Sequence, residues 1–316
     1  MLVQARELFH HSLENKYMTG AFNVFNFDTL TAVVAAAEAE RSPVIIQVSM
    51  GARKYAEDFR LFLECIHKVI ETCAVPVLLQ HDHCSTFEAC REAIEWGIPA
   101  VMFDGSHLRF EENIERTREL AGYAHARGVW VEAELGSLPG FEDEVFSAEN
   151  KYTEPDQAAR FIEESGCDAL AVAVGTSHGG VLSDESLPLA FDRLAEIHAA
   201  LPDFPLVLHG GASLEKDLID AVNAAGARVP YLRNASEADV SECRRYGVCK
   251  VNMDVDNFMA YTTAVLETLR EKPDKYDPRV YLRPARDAFK NQVRHKMRNV
   301  LRSSDKAGLF AGSKIV

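Results

Sequence analysis

The chain has 316 residues, of which 47% are apolar, so it can bury a large core, and its composition does not indicate disorder. Its 34 basic and 48 acidic residues give a formal net charge of −14, which argues against nucleic acid as a partner because a phosphate backbone favours a basic surface. No run of about 18 apolar residues exists, and the first residues lack a basic start before an apolar segment, so we expect neither a membrane span nor a signal peptide.

Short apolar or β-branched segments recur along the chain and alternate with segments of helical spacing. The predicted strands are GAFNV (20–24), PVIIQVS (43–49), PVLLQH (76–81), AVMFD (100–104), VWVEAEL (129–135), ALAVAVG (169–175), PLVLHG (205–210) and CKVNMD (249–254). The predicted helices include DTLTAVVAAAEAE (28–40), FEACREAIEWG (87–97), FEENIERTRELAGYAHARG (110–128) and EPDQAARFIEESG (154–166). Several of these helices end in Gly, which is a common helix stop.

Eight strand-like segments separated by helices indicate an α/β protein with a parallel sheet. Eight of them suggest closure into a (β/α)8 TIM barrel, with an open doubly wound sheet as the alternative. No linker rich in Pro, Gly or Ser divides the sequence, so we expect one domain over residues 1–316 with a helical C-terminal extension. The segment at about 221–243 is longer than a strand–helix connection needs, and we predict an inserted loop there.

Seven cysteines are scattered along the chain without a C-x-x-C pair. An odd number with no paired spacing is typical of reduced thiols, so we expect a cytoplasmic protein. Cys84 and Cys90 lie beside the most polar part of the sequence, and we interpret both as small buried hydrophobic side chains.

Titratable side chains occur where several predicted strands end. Asp82 and His83 follow the third strand, His178 follows the sixth and His209 lies near the end of the seventh. In a parallel barrel these strand ends form one rim, where active sites lie, so we expect the three imidazoles to converge. A single histidine at a strand end would more often be structural. Three histidines with an open fourth position are the ligand set of a catalytic zinc, so the sequence predicts a metal site.

The segment GSLPGFEDEVFSAENKYTEP (136–155) follows the fifth strand and is polar, with little apolar periodicity. Such a segment beside a barrel mouth is typical of a mobile lid. From the residues alone, its acidic side chains Glu142, Asp143 and Glu144 would be interpreted as a solvated loop.

Eight segments of the chain resemble, in the same order, segments of the class II metal-dependent fructose- and tagatose-bisphosphate aldolases. They are GAFNVFNFDTL, PVIIQVSMGARKYA, VPVLLQHDH, AVMFDGSH, VEAELG, AVAVGTSHGG, LVLHGG and GVCKVNMDVD, and the later YDPRVYLRPARDAF resembles a branch of that family. The resemblance covers nearly the whole chain. It implies a zinc-dependent aldolase on a (β/α)8 barrel that acts on a sugar or sugar phosphate and forms a homodimer or homotetramer. A monovalent cation as a second ion is left open.

The resemblance implies that His83, His178 and His209 hold the metal, with Glu134 as an accessory ligand when the metal shifts. Zinc would polarise the donor ketone and stabilise the enediolate that forms when a C–H proton leaves. The implied substrate contacts are Asn23, Ser49, Gly179, Gly210, Gly211, Asn252 and Asp254.

Two carboxylates carry the proton transfers that the resemblance implies. Asp82 moves the proton at the acceptor aldehyde oxygen in condensation and at the C4 hydroxyl in cleavage, and Glu142 removes the donor C–H proton. His81 stands where the family usually has an apolar residue. Asp82 interrupts the alternation of His81 with His83, so we expect His81 to point outward.

Three side chains with which the family binds the donor phosphate are absent. Leu182 replaces a Lys, Ala212 replaces a Ser and has Ser213 next to it, and Val255 replaces a Thr or Ser. Their loss removes charge-assisted hydrogen bonds of about 1.5–3 kcal/mol each, although backbone N–H groups of the glycine motifs can still bind a phosphate. We therefore predict that dihydroxyacetone phosphate is not the best donor.

Two alternatives stand beside this hypothesis. In one, Arg228 and Arg233 of the 221–243 segment fold back and replace the missing Lys, which gives an orthodox fructose-bisphosphate aldolase with a rebuilt phosphate site. In the other, the chain is a metal-binding barrel that has lost aldol chemistry and acts as a hydrolase, an isomerase or a non-catalytic protein. The joint presence of Asp82, Glu142 and three histidines favours an active aldolase.

Overall fold

The computed structural model describes the backbone of residues 1–142, 145–147, 151–183 and 185–310 and, apart from residues 141, 142, 145–147 and 309, their side chains. The strands are β1 Thr19–Asn23, β2 Val44–Val48, β3 Val77–Cys84, β4 Ala100–Phe103, β5 Trp130–Leu135, β6 Gly140–Glu142, β7 Val145–Ser147, β8 Ala169–Val172, β9 Val181–Leu182, β10 Leu206–Leu208, β11 Leu232–Arg233 and β12 Val248–Met253. The α-helices are α1 Ala5–Glu14, α2 Phe27–Glu40, α3 Met50–Tyr55, α4 Phe59–Thr72, α5 Phe87–Glu95, α6 Phe110–His125, α7 Pro155–Ser165, α8 Phe191–Ala200, α9 Lys216–Ala225, α10 Glu237–Glu242, α11 Val255–Glu271 and α12 Pro278–His295.

Eight strands close into a parallel barrel in the order β1-β12-β10-β8-β5-β4-β3-β2. Because β1 pairs with both β2 and β12, the sheet has no open edge, and the doubly wound alternative is wrong. The eight predicted strands are these eight, which confirms the (β/α)8 barrel. The short strands pair separately and antiparallel, β6 with β7 and β9 with β11.

The helices pack on the barrel through the apolar faces that the sequence gives them. Helix α4 buries Phe59, Leu63, Ile66 and Ile70, whose spacing of three and four residues places them on one side of the helix. Helix α7 begins with Pro at its first turn and ends at Gly166, whose φ of 71° is the left-handed conformation that stops a helix.

Helix α1 closes the N-terminal end of the barrel. Its residues Leu8 and Phe9 are buried among the small interior side chains of the strands, and the Phe9 ring stacks on Trp130 with centroids 5.1 Å apart. Helices α11 and α12 pack together, and α12 also packs on α2, which confirms the helical C-terminal extension. Helix α1 covers the end of the barrel where the strands begin. The polar residues that follow the strands lie at the opposite, C-terminal end, because the strands are parallel.

The loop predicted at about 221–243 begins later than expected, at Gly226. Residues 221–225 complete α9, because Val222 and Ala225 continue the buried face of that helix, and Gly226 ends it. The following residues 226–236, here called the β11 segment, contain β11, which pairs with β9, and α10 then begins. Through this strand pair, the β11 segment is hydrogen-bonded to the loop that follows β8.

All seven cysteines are free thiols, and Cys84 and Cys90 are buried as expected. Among the described residues, no helix is both long enough and apolar enough to cross a bilayer.

Candidate active site

Strand β3 is irregular where it carries the polar residues. Its register with β4 shifts between His81 and Cys84, and His83 has a φ of 43°, which a residue with a side chain adopts only under local strain. This irregularity breaks the alternation of side chains, so Asp82 and His83 lie on the same rim, with Asp82 Oδ2 3.9 Å from His83 Nε2.

Three imidazoles converge at the C-terminal end of the barrel, as predicted. The ring centroids of His83 lie 5.1 Å from His178 and 4.6 Å from His209, and those of His178 and His209 lie 6.0 Å apart. One nitrogen from each of the three rings lies within 4.8 Å of the other two. All three side chains are buried, so a bound ion would exchange most of its water for protein ligands.

Two of the imidazoles are oriented by carboxylates behind them. His83 Nδ1 lies 3.1 Å from Asp104 Oδ2, and His209 Nε2 lies 2.9 Å from Glu132 Oε1. Each carboxylate accepts the ring proton and so directs the opposite nitrogen, Nε2 of His83 and Nδ1 of His209, to a metal. Within the described part of the chain, the buried Nδ1 of His209 has no hydrogen-bond partner. This donor set fits a zinc ion with an open position.

Burial favours the neutral form of the His178 and His209 rings. Burial lowers the pKa of His178 well below its ordinary value, and the neighbouring His83 and His209 lower it further. Burial also lowers the pKa of His209, although Glu132 opposes the shift. Burial alone would raise the pKa of Asp104, but the hydrogen bond and charge of His83, together with the hydrogen bonds from Ser106, lower it. Neutral imidazole is the form that binds a metal.

A buried ion pair supports the site from inside the barrel. Glu132 accepts hydrogen bonds from Lys250 Nζ at 2.6 Å and from Gln80 Nε2 at 2.9 Å, and all three residues are fully buried. Burial alone would raise the pKa of Glu132, but the charge of Lys250 and the contact with His209 lower it to about 2. No role was predicted from the sequence for Glu132 or Lys250, although both lie in predicted strands. The available signal was a lysine within a predicted strand, between Cys249 and Val251.

Glu134 and Asp104 complete the carboxylates around the imidazoles. Glu134 Oε2 lies 3.6 Å from His209 Nδ1, which is consistent with the accessory position expected of it. One oxygen each of Glu134 and Asp104 lies within 4.8 Å of a nitrogen of His83. Asp104 was missed by the sequence reasoning, although it follows β4 directly at the same rim.

Asp82 is held beside the imidazoles by a neighbouring amide. Its Oδ2 accepts a hydrogen bond from Asn252 Nδ2 at 3.0 Å. The Oδ1 of Asn252 in turn accepts a hydrogen bond from Gln47 Nε2 at 3.3 Å. The second oxygen, Oδ1, is buried and has no hydrogen-bond partner among the described residues. One carboxylate oxygen is therefore fixed while the other can accept or deliver a proton.

Four of the predicted substrate contacts line one cavity of about 280 Å³, namely Asn23, Ser49, Gly179 and Asp254. Asn23 Nδ2 donates to Asp254 Oδ2 at 3.2 Å, and burial together with the charge of Asp256 raises the pKa of Asp254 to about 6.

Gly210 and Gly211 follow His209 where two loops meet. At Gly210, whose φ is 61°, a Cβ atom would lie 2.3 Å from the carbonyl oxygen of Ser177. A Cβ atom at Gly211 would lie 2.1 Å from Val251 Cγ1. Only residues without a side chain allow the backbone of this loop to approach its neighbours so closely.

The segment predicted as a polar lid contains the antiparallel pair β6–β7. Its first part touches the metal rim, because the N–H of His178 donates to the carbonyl of Pro139 at 2.9 Å. The side chain of Glu142 and the whole of Asp143 and Glu144 lie outside the described part of the chain, so the structure does not place the predicted base.

His81 is buried and packs outward against the ring of Phe59 in α4, with centroids 6.3 Å apart, as expected. Its Nδ1 lies 3.1 Å from the sulfur of Cys84 and 3.2 Å from the carbonyl oxygen of Asp82. The side chain of His81 therefore lies between the barrel and α4.

The residues at which the chain departs from the resemblance lie in different surroundings. Leu182, on β9, is 75% exposed and does not line the cavity, whereas Val255 lines it and Ala212 is buried. Arg233, which is 9% exposed, donates from Nη1 to the carbonyl of Leu214 at 3.0 Å.

Comparisons with known proteins agree with this architecture. The sequence model of the family described as fructose-bisphosphate aldolase class-II matches residues 3–306. The fructose-bisphosphate aldolase of Treponema pallidum is 39% identical over 97% of this chain and 98% of its own length, and that of Giardia intestinalis is 40% identical over 94% and 92%. The crystal structure of the YdjI aldolase from Escherichia coli K12 superposes with a TM-score of 0.79 at 31% identity, covering 97% of this chain and all of that one. The chain therefore belongs to the family of class II fructose-bisphosphate aldolases, which are metal-dependent lyases.

Proposed function

We propose that this protein is a zinc-dependent aldolase that reversibly cleaves a ketose or ketose phosphate into a ketone donor and an aldehyde acceptor. The observation that carries the proposal is the group of three buried imidazoles, two of them oriented by carboxylates, with Asp82 beside them. The test is the metal content of the purified protein together with a retro-aldol assay on a panel of ketoses. Metal binding without any cleavage would favour a barrel that has lost aldol activity.

We propose that His83, His178 and His209 hold the ion, with Glu134 as an accessory ligand. A bound zinc ion would supply a Lewis acid that polarises the donor carbonyl and stabilises the negative charge that develops there. Asp104 and Glu132 keep the rings of His83 and His209 in the orientation that ligation needs.

The proton transfers are assigned to two carboxylates. Asp82, which Asn252 orients, exchanges a proton with the acceptor aldehyde oxygen in condensation and with the C4 hydroxyl in cleavage. Glu142 takes the proton from the donor carbon. The contact of Pro139 with His178, three residues before Glu142, supports this assignment, because it brings the backbone of that segment to the rim.

For the donor, we propose that dihydroxyacetone phosphate is not the best substrate and that a non-phosphorylated or differently substituted ketone fits better. Val255 gives the cavity beside Gly179 and Asp254 an apolar wall, and burying a phosphate dianion with too few partners is costly. An acceptor phosphate would then lie near Ser49, which lines the same cavity. The exposed Leu182 takes no part in this argument.

One observation favours a second candidate, an orthodox fructose-bisphosphate aldolase. Among the described residues, the buried guanidinium of Arg233 has a single hydrogen-bond partner, the carbonyl of Leu214, and its Nε has none. A buried arginine without a carboxylate partner is suited to binding an anion. The names of the Treponema and Giardia relatives point to the same substrate.

The two candidates are separated by the specificity constants of matched donors with and without a C1 phosphate. A preference for the phosphorylated donor of about 100-fold, equivalent to about 2.7 kcal/mol, would contradict the first candidate. Arg233→Ala should then lose the preference, whereas Arg228→Ala, which removes an exposed arginine of the same segment, should keep it.

We further propose a homodimer or homotetramer in the cytoplasm, with a small-molecule substrate and no nucleic-acid partner. The free thiols and the net charge of −14 support the location and the absence of a nucleic-acid partner. Size-exclusion chromatography with light scattering tests the assembly.

A further inference from the structure

Asn234 follows strand β11 directly, and its side chain joins two loops of the metal rim. The residue is 1% exposed. Its Nδ2 donates to the carbonyl oxygens of Ser177 and Gly210, both at 2.8 Å. Its Oδ1 accepts from the backbone N–H groups of Ser177 at 3.1 Å and Ala235 at 3.0 Å. A side-chain amide has two N–H donors and two acceptor lone pairs, so all of its hydrogen-bonding groups are used.

Three of the four atoms that Asn234 binds belong to chain neighbours of two metal-site histidines. Ser177 directly precedes His178, and Gly210 directly follows His209. The two loops touch at this point, because a Cβ atom at Gly210 would lie 2.3 Å from the carbonyl oxygen of Ser177. Asn234 therefore fixes one loop to the other within one residue of each imidazole.

The barrel strands do not provide this connection themselves. Strands β8 and β10 are paired as far as Ala171 and Val207, but His178 lies six residues beyond the end of β8 at Val172. Beyond that ladder, contacts between the loops must set the separation of the His178 and His209 rings, whose centroids are 6.0 Å apart. The amide of Asn234 supplies three such hydrogen bonds to the two loops.

We propose that Asn234 is a positioning residue of the metal centre: by fixing the separation of the loops that carry His178 and His209, it sets the affinity for zinc. The inference rests on the proposed function, in which these histidines hold the ion. A tetrahedral site requires its ligand atoms at fixed positions, so loops that are less well held bind zinc more weakly. Residues that orient metal ligands typically contribute about 10- to 100-fold to metal affinity.

The experiment compares Asn234→Ala and Asn234→Asp with a control from the same region. The aspartate has the shape of asparagine but places an acceptor oxygen against two carbonyl oxygens. The control is Asn223→Ala, which lies away from the metal rim. The side chain of Asn223 also donates and accepts: its Nδ2 donates to the carbonyl oxygen of Val229 at 2.9 Å, and its Oδ1 accepts from the N–H of Val229 at 2.7 Å. The measurements are zinc dissociation constants, from competition with a chromophoric chelator, and melting temperatures of the metal-free proteins.

Both Asn234 variants should bind zinc about 10- to 100-fold more weakly than the parent, whereas Asn223→Ala should bind it as tightly as the parent. Equal zinc dissociation constants for Asn234→Ala and Asn223→Ala would overturn the inference. If Asn234→Ala does not fold, the isosteric Asn234→Asp decides by the same comparison. A parent protein that binds no zinc would overturn the proposed function and this inference with it, whereas unchanged affinity in the Asn234 variants overturns the inference alone.

Discussion

At the scale of single residues, the imidazole of His178 is the simplest test of the metal centre. It lies in the loop after β8 and carries a pKa that burial lowers, so it is available as a neutral ligand. His178→Ala leaves two of the three imidazoles, which are too few for a stable zinc site. We expect elemental analysis after dialysis to show little zinc and the aldol assay to show little activity.

His125→Ala is the matched control, because it removes a half-exposed imidazole that pairs with Asp168 far from the rim. This variant should retain zinc. Full zinc content and full activity in His178→Ala would show that the metal is held elsewhere.

The two proton-transfer residues can be separated by isotope exchange. Asp82→Asn and Glu142→Gln should each lower turnover by about 100-fold or more without changing the metal content. Exchange of the donor C–H proton with solvent needs no acceptor aldehyde. Glu142→Gln should therefore abolish this exchange, whereas Asp82→Asn should retain much of it, as followed by NMR in deuterium oxide. The reverse pattern would mean that the two roles are exchanged.

At the scale of secondary-structure elements, β5 and β12 are linked across the barrel interior by Glu132 and Lys250, both fully buried. Lys250→Met leaves the Glu132 carboxylate without its cation, and breaking a buried ion pair in this way costs about 3–5 kcal/mol. Urea unfolding of the metal-free protein measures this loss of unfolding free energy. Adding Glu132→Gln to Lys250→Met should restore part of it, because no uncompensated charge is then left inside the barrel.

Lys68→Met provides the comparison at the surface, since Lys68 pairs with Glu71 on an exposed face of α4. Exposed pairs contribute about 0–1 kcal/mol. If Lys250→Met were no more destabilising than Lys68→Met, the barrel interior would be far more polar than its burial indicates.

At the scale of the whole molecule, carboxylates fasten the C-terminal extension to the rest of the fold. Glu40 of α2 accepts hydrogen bonds from Arg294 and Arg298, and Glu237 of α10 accepts them from His295 and Lys296. Burial opposes the charge of both carboxylates, but these partners lower the pKa of Glu40 and lower that of Glu237 to about 2.

A pKa that is lower in the folded than in the unfolded protein means that the unfolded chain binds the proton first as the pH falls. The contribution of Glu237 is therefore present above the unfolded pKa of about 4.5 and is lost as the pH falls towards 2. The melting temperature of the metal-free protein should decline over this range. Glu237→Gln should flatten the decline, whereas Glu71→Gln on the exposed face of α4 should not. An equal acid profile for Glu237→Gln and the parent would contradict the argument.

The sequence by itself determined the barrel and the position of its site. Strand and helix periodicities are local, because alternation or a three-to-four spacing records which face of an element is buried. Eight strands alternating with helices leave few topologies, and parallel strands must bring their C-terminal ends to one rim. Asp82, His83, His178 and His209 were therefore predicted together before any contact was known.

Only the tertiary structure decided which groups support those residues. The supporting contacts join residues that lie 21 to 118 positions apart in the sequence. Asp104 bonds to His83, Glu132 bonds to both His209 and Lys250, and Asn234 bonds to the two loops. The extent of α9 and the pairing of β9 with β11 were likewise settled by packing. Periodicity tells which way a side chain faces but not what lies opposite it, because the partner across a closed barrel depends on strand register and loop path, which are set when the sheet closes.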